Sequence, residues 1–392
     1  MMAAGTAADR GKRVLLLEKN RMLGRKLRIT GKGRCNLTNR TDVEGLVAHI
    51  PGNGRFLRGA FYRFGPEELI AFFAAWGLET KTERGNRVFP VSDESADVVA
   101  ALERFLRAGQ VTVRTDCAVA HLLADGRIRG VRLRSGEEVP AAAVILATGG
   151  ASYPRTGTTG DGYRMACEVG HTIVPIRPSL VPLEVAEAWA PTLKGLSLRN
   201  VDLYALSPDG KVLWHDRGEM LFTHFGVSGP LVLSASRHLV GCTGGRLRID
   251  LKPALSEERL DARVQRDLGE AVRRHIGNAL DQLLPRALIP VVLEVAGIPA
   301  ALPVHQVTRA QRHALVRTLK ALMLTVTRPR PLAEAIVTAG GVATTEVDSR
   351  TLESRRVPGL YLTGEVLDVD GYTGGFNLQI ALTTGRIAGE SV

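Results

Sequence analysis

What the sequence lacks narrows the reading first. No run of about 20 apolar residues that could cross a bilayer is present: the longest apolar stretch, residues 287–304, is broken by Pro290, Glu294, Pro299 and Pro303. Cysteine is scarce, and Cys35, Cys117, Cys167 and Cys242 are scattered without any CxxC, so neither a disulfide framework nor a metal site is expected. The start has no basic-then-apolar pattern and no small-residue cleavage site. A soluble protein of the reducing cytoplasm, without membrane contact, fits these absences. No internal repeat is evident either. What is there is ordinary for a globular chain: 392 residues, 45% hydrophobic and 23% charged, enough for two or three domains with real cores. The net charge of +11 raises the concentration of any polyanion near the surface, which a nucleic-acid partner or an arginine-rich composition would each explain.

Along the chain, residues 1–10 read as an alanine-rich helix ending at Gly11, and residues 13–18 (RVLLLE) as a short, fully buried strand. Residues 66–76 and 95–108 read as helices, the first with proline in its opening turn and the second with Ser95 as N-cap. A small antiparallel meander follows from residue 111, with turns at Asp125-Gly126 and Ser135-Gly136. It runs into AVILATGG (143–150), an apolar strand ending in glycines. Residues 176–255 alternate as strands. The period is helical over 256–326, with Leu280, Leu283, Leu284 and Leu288 on one face and Leu315, Leu319, Leu322 and Met323 on another.

Two segments carry chemistry. In residues 363–379 (TGEVLDVDGYTGGFNLQ) a strand ends at Gly364-Glu365 and a helix starts after Gly374-Gly375, so backbone N–H groups and the positive end of the helix dipole suit an anion. Residues 24–39 (GRKLRITGKGRCNLTN) form a loop with three glycines, three arginines and two lysines, too polar to be core and suited to folding over phosphate. Glu18 ends the strand before that loop, where a dinucleotide fold has the acid that accepts from the ribose hydroxyls.

Together with ATGGASYPRTGTTGDGY (147–163) and GEMLFTHFGVSGP (218–230), these segments resemble the BaiN-like NAD(P)/FAD-dependent oxidoreductases, flavoproteins of the two-dinucleotide-binding type. The resemblance covers essentially the whole chain. It implies an α/β fold: a Rossmann-like FAD domain from residues 1–175 and 350–392, a β-barrel-like insert from 176–255 and 327–349, and an all-α subdomain from 256–326. It also implies FAD, with NAD(P)H as reductant. Glu18 and Lys19 would serve the adenosine end; Arg25, Lys26, Arg34 and Asn36 would line the cofactor; Val119, Thr148, Gly149 and Gly150 would close over the dinucleotide. Gly364, Glu365, Asp368, Gly374, Gly375, Asn377 and Leu378 would hold the ribityl chain and ring. The implied reaction is reduction of an activated C=C bond, in a small enone such as a steroid or in a uracil of ribosomal RNA, with Cys35, His224 and Tyr153 as candidate proton donors. Arg263, Arg266, Arg273, Arg274, Arg309, Arg312 and Arg317 are candidate phosphate contacts for an RNA substrate.

One departure stands out. A ribose-binding acid follows its GxGxxG loop by about 20 residues, and Glu18 is preceded by only seventeen. The first strand and pyrophosphate loop are therefore expected upstream of Met1, the alternative being a flavoprotein-like scaffold that does not catalyse.

Overall fold

The computed structural model describes all 392 residues and divides them into two compact units, Met1–Ser179 with Leu332–Val392, and Leu180–Pro331. No helix is long and apolar enough to cross a membrane.

In the first unit the alanine-rich start forms the helix Met2–Asp9, whose small side chains let it lie against the helix Phe376–Ser391. The approach is close enough that a Cβ on Gly389 would sit 2.5 Å from the Ala3 carbonyl oxygen. Strand Leu15–Leu17 pairs in parallel with Thr112–Arg114, and Val144–Leu146 pairs in parallel with Leu360–Leu362. The meander appears as Val119–Asp125, Arg127–Leu133 and Glu138–Pro140, all antiparallel. A three-stranded sheet of Thr38–Asn39, Arg87–Pro90 and Thr80–Glu83 backs the basic loop. A polar knot ties the unit's distant segments: buried His171 contacts Glu346 Oε2 at 3.0 Å through Nδ1 and Ser354 Oγ at 2.8 Å through Nε2.

The second unit is built on a closed six-stranded barrel, in the order Leu183–Val185, Gly226–Ser228, Val212–Thr223, Ser197–Leu206, Arg246–Asp250 and Leu322–Pro329. Closure leaves no sheet edge. The helices Glu257–Glu270, Ile289–Val295 and Arg309–Lys320 do not bury a separate core. Leu260, Val264, Leu315 and Leu319 join Leu203, Phe222 and Leu247 of the barrel in one apolar cluster.

Several expectations need correction. Residues 327–349 do not belong together: the barrel takes the chain to Pro329, and Val337–Val342 pairs antiparallel with Ile173–Ser179 in the first unit. Leu322 and Met323 begin a barrel strand rather than continuing a helical face, because the helix Arg309–Lys320 stops just before them. Leu280, Leu283 and Leu284 are buried, as a helical stripe would be, but they lie in turns between short helices. Ser95 is the first helical residue, not the cap, and its hydroxyl donates to the Arg28 carbonyl at 2.6 Å. Strand Leu15–Leu17 is only partly covered, with Leu15 36% exposed.

Candidate functional site

Three loops leave the carboxyl ends of Leu15–Leu17, Val144–Leu146 and Leu360–Leu362, where open α/β sheets place their ligands. Their side chains converge. Lys26 Nζ donates to Glu365 Oε2 and to Ser152 Oγ, each at 2.9 Å. Glu365 Oε1 accepts from the Thr338 backbone N–H at 2.7 Å and lies 3.4 Å from Ser152 Oγ. Thr338 Oγ1 in turn accepts from the Ala151 N–H at 2.8 Å, beside Gly149 and Gly150. Glu365 thus gathers the basic loop, the loop after the AVIL strand and the strand Val337–Val342 around one carboxylate.

Behind this cluster the glycine turn works as a spacer. Gly375 has φ +103° and lies so close to the Thr38 backbone that a Cβ would collide with it. It is the N-cap of Phe376–Ser391, and no side chain caps that helix start. The N–H groups of its first turn and the dipole's positive end remain for an anion. Asn377 shapes the turn itself, donating from Nδ2 to the Gly371 carbonyl at 2.7 Å and accepting from the Gly371 N–H at 2.8 Å. The Asn39 amide donates to the Gly374 carbonyl at 3.2 Å. Asp368 accepts from Asn53 Nδ2 at 2.9 Å, and the Gly364 N–H donates to Thr384 Oγ1 at 2.9 Å. Leu378 lies against the apolar cluster of Phe73 and Phe105.

In the basic loop, Asn36 Oδ1 is buried without any partner. A buried acceptor left unmatched costs about 1–3 kcal/mol, a cost that a donor on a bound group, such as the ring N–H of a flavin, would offset. Glu18 Oε1 accepts from the Asn20 backbone N–H and from Asn20 Nδ2, both at 2.7 Å, leaving Oε2 for a ribose hydroxyl. Arg25 reaches Asn20 Oδ1 at 3.3 Å. Lys19 pairs with Asp161 at 2.7 Å; burial opposes the charge of Asp161, but the Lys19 hydrogen bond and charge prevail and hold its pKa below the usual value. These groups fit FAD in chemistry and arrangement.

Other expected residues are committed elsewhere. Arg34 is shared by Glu83 and Asp93, at 2.5 and 2.6 Å, and stacks on Phe89. Its hydrogen bonds to those two acids raise its pKa, and its donors secure the loop to the neighbouring sheet rather than lining a cofactor. Val119 pairs with Leu133 inside the meander, and Thr148 Oγ1 packs against Gly162 in the helix Asp161–Glu168. Among the proton-donor candidates, Cys35 is fully buried at φ +59°, and burial pushes its thiol up to about 11 against a hydrogen bond with Thr30. His224 belongs to the insert unit. Tyr153 follows the buried Ser152, is 36% exposed, and its hydroxyl has no partner in the chain. Ser152, Thr338, Asn20 and Asn53 went unnoticed in the sequence. Asn53 sits between Gly52 and Gly54 and Thr338 two residues before Gly340, yet only the strand pairing and the chain's return bring them to the site.

The chain matches the family described as HI0933-like protein Rossmann domain over residues 1–391. It belongs to that family. This HI0933-like protein is thereby an FAD-dependent oxidoreductase, as the motif resemblance implies. It is 37% identical over 393 residues to the 3-dehydro-bile acid delta(4,6)-reductase of Clostridium scindens, covering 99% of this chain and 94% of that relative. It is 31% identical over 385 residues to the ribosomal RNA dihydrouridine synthase of Escherichia coli, covering 97% of this chain and 92% of the relative. Among solved structures, the 3-ketosteroid delta1-dehydrogenase of Sterolibacterium denitrificans superposes with a TM-score of 0.51 at 14% identity, over 99% of this chain and 96% of that one, a likeness of fold.

Proposed function

We propose that this protein reduces an electron-poor carbon–carbon double bond conjugated to a carbonyl, with NAD(P)H as the source of the hydride. The observation that carries the reading is the gathering of Lys26, Ser152 and Glu365 at the strand ends, with the unmatched Asn36 oxygen in the same loop. Bound FAD supplies two-electron hydride transfer, which no side chain can perform. The residues do the rest. Glu18 would accept from the ribose, Asn36 would accept from the ring, and the open helix start at residues 376–378 would stabilise negative charge on the bound group. The ammonium of Lys26, held by Glu365 and Ser152, would add a positive charge at the strand ends. For the proton that completes the reduction Tyr153 is the better candidate, its side chain being exposed where Cys35 is enclosed.

The two curated relatives favour two presentations of the same bond. One name describes a bile-acid reductase and the other a synthase of dihydrouridine in ribosomal RNA. A steroid-like enone and a uracil ring both carry an alkene polarised by a carbonyl. The test is an anaerobic cycle: the FAD-loaded protein is bleached with NADPH, then given a steroid enone or a ribosomal RNA fragment. Return of the yellow colour with one of them, and a product two hydrogens heavier, is expected. A protein that takes up no flavin, or whose bleached flavin neither compound reoxidises, would overturn the reading.

A further inference from the structure

A cavity of about 590 Å³ opens in the insert unit, between the end of helix Glu257–Glu270 and the start of helix Ile289–Val295. Its lining includes Arg273, Arg274, Arg286, His275 and Asn278, with Asp281 as its one acid. The wall is firmly held. The Ile276 N–H donates to the Leu302 carbonyl at 2.9 Å, the Gly277 N–H to Ala300 at 3.0 Å, and the Val304 N–H to Arg274 at 3.0 Å. Ile276 and Leu288 are fully buried behind it. The arginines themselves are exposed, on a scaffold that does not depend on them.

The balance of charge sets this cavity apart from the rest of the helical insert. Arg312 pairs with Asp261 at 2.8 Å and Arg263 with Asp267 at 2.7 Å, so those arginines serve the helices that carry them. In the cavity, Arg274 meets Asp281 only at 4.0 Å with 54% of its side chain exposed, and Arg273 and Arg286 have no ion-pair partner in the chain. Three guanidinium groups held around one concavity repel one another, and low-dielectric walls focus their field outward. Planar, forked donors match the oxygens of phosphate, which can be bound by two hydrogen bonds per arginine. The volume lies within the range of pockets that take small ligands.

We infer that this cavity is a phosphate-binding site, distinct from the flavin site and occupied by the phosphate of an RNA chain or of a free nucleotide. The inference does not rest on the redox reading, and its readouts require no flavin. Inorganic pyrophosphate is titrated calorimetrically into the full-length protein at low salt, alongside Arg273→Ala/Arg286→Ala and, separately, Asp281→Asn. The double variant is expected to bind at least about tenfold more weakly with an unchanged melting curve, since neither arginine has a partner to lose, and Asp281→Asn severalfold more tightly. Absence of wild-type binding, or equal affinities in all three proteins, would overturn the assignment. A single-stranded RNA oligonucleotide then separates the sources. If the phosphate arrives on RNA, the salt dependence of binding becomes shallower in the double variant, by about 0.7 in slope for each phosphate no longer neutralised. If pyrophosphate binding disappears and the RNA slope is unchanged, the occupant is a free nucleotide.

Discussion

The two units spend their backbone in opposite ways. In the insert, strands of ten and twelve residues, Ser197–Leu206 and Val212–Thr223, close into a barrel around Leu203, Phe222 and Leu247, and every strand finds two neighbours. In the first unit the parallel strands are three residues long and paired only two by two, and the chain between them goes into loops that carry Lys26, Asn36, Ser152 and Glu365. A closed sheet gives stability that owes little to any one polar group. An open one ends its strands where side chains can meet a ligand, and it depends on the hydrogen bonds and ion pairs that hold those ends together.

That contrast can be broken experimentally. The largest effect is expected from Phe222→Ala, which should cost the insert about 3–5 kcal/mol in urea unfolding, because the ring is wholly enclosed. Were fluorescence of Trp76 in the first unit and of Trp189 and Trp214 in the second, isolated by single-tryptophan variants, to shift equally, the two units would not be separate in stability. Next is Gly375→Ala. Backbone strain alone should cost about 1–3 kcal/mol, the collision with Thr38 adds to it, and flavin binding should disappear from an absorbance titration; unaltered uptake would remove the glycine turn from the site. Glu365→Gln leaves Lys26 without its charge partner in a half-buried setting and should cost about 1–3 kcal/mol, with weaker flavin binding and a barrel that melts as before.

A smaller effect concerns acid. Burial raises the pKa of Glu346, but hydrogen bonds from Arg356, Thr172 and His171 outweigh it and bring the group down to about 2, from 4.5 in an unstructured chain. A depressed carboxylate stabilises the fold fully above the unfolded value and loses that contribution as pH falls towards the folded one. Between about pH 4.5 and 2, Glu346→Gln should flatten the decline in stability of the first unit; an unchanged acid limb would mean the knot of His171, Glu346 and Ser354 contributes nothing. The smallest structural effect belongs to Tyr153→Phe, within about 0.5 kcal/mol, while turnover should fall by about 10²–10⁴ if the hydroxyl is the proton donor. Full activity in that variant would return the role to another group.

The sequence was most legible where function constrains spacing. The glycine turn before the last helix and the basic loop after a short strand both follow from local pattern, since a helix start and a loop each have their own residue chemistry. Long-range pairing was not legible. Nothing local in Val337–Val342 shows that it pairs with Ile173–Ser179 and not with the barrel, so Thr338 stayed hidden although its backbone anchors Glu365. Arg34 misled for the opposite reason: its setting in a glycine-rich loop is that of a ligand-binding residue, and only the fold shows Glu83 and Asp93 already claiming it. The helical period at 280–288 reported burial correctly and secondary structure wrongly, because several short turns can bury the same leucines that one helix would.

The order of synthesis gives the split of the first unit a further meaning. Its helix Met2–Asp9 lies against Phe376–Ser391, so an element made before the insert waits for one made after it. Residues 180–331 have meanwhile left the ribosome as a complete unit. At 5–20 residues per second, translating residues 332–392 takes about 3–12 s, a time in which the covering of the apolar helix Met2–Asp9 is still being translated. Chaperones that shelter emerging chains would find their target there, in the half of the molecule that later holds the flavin.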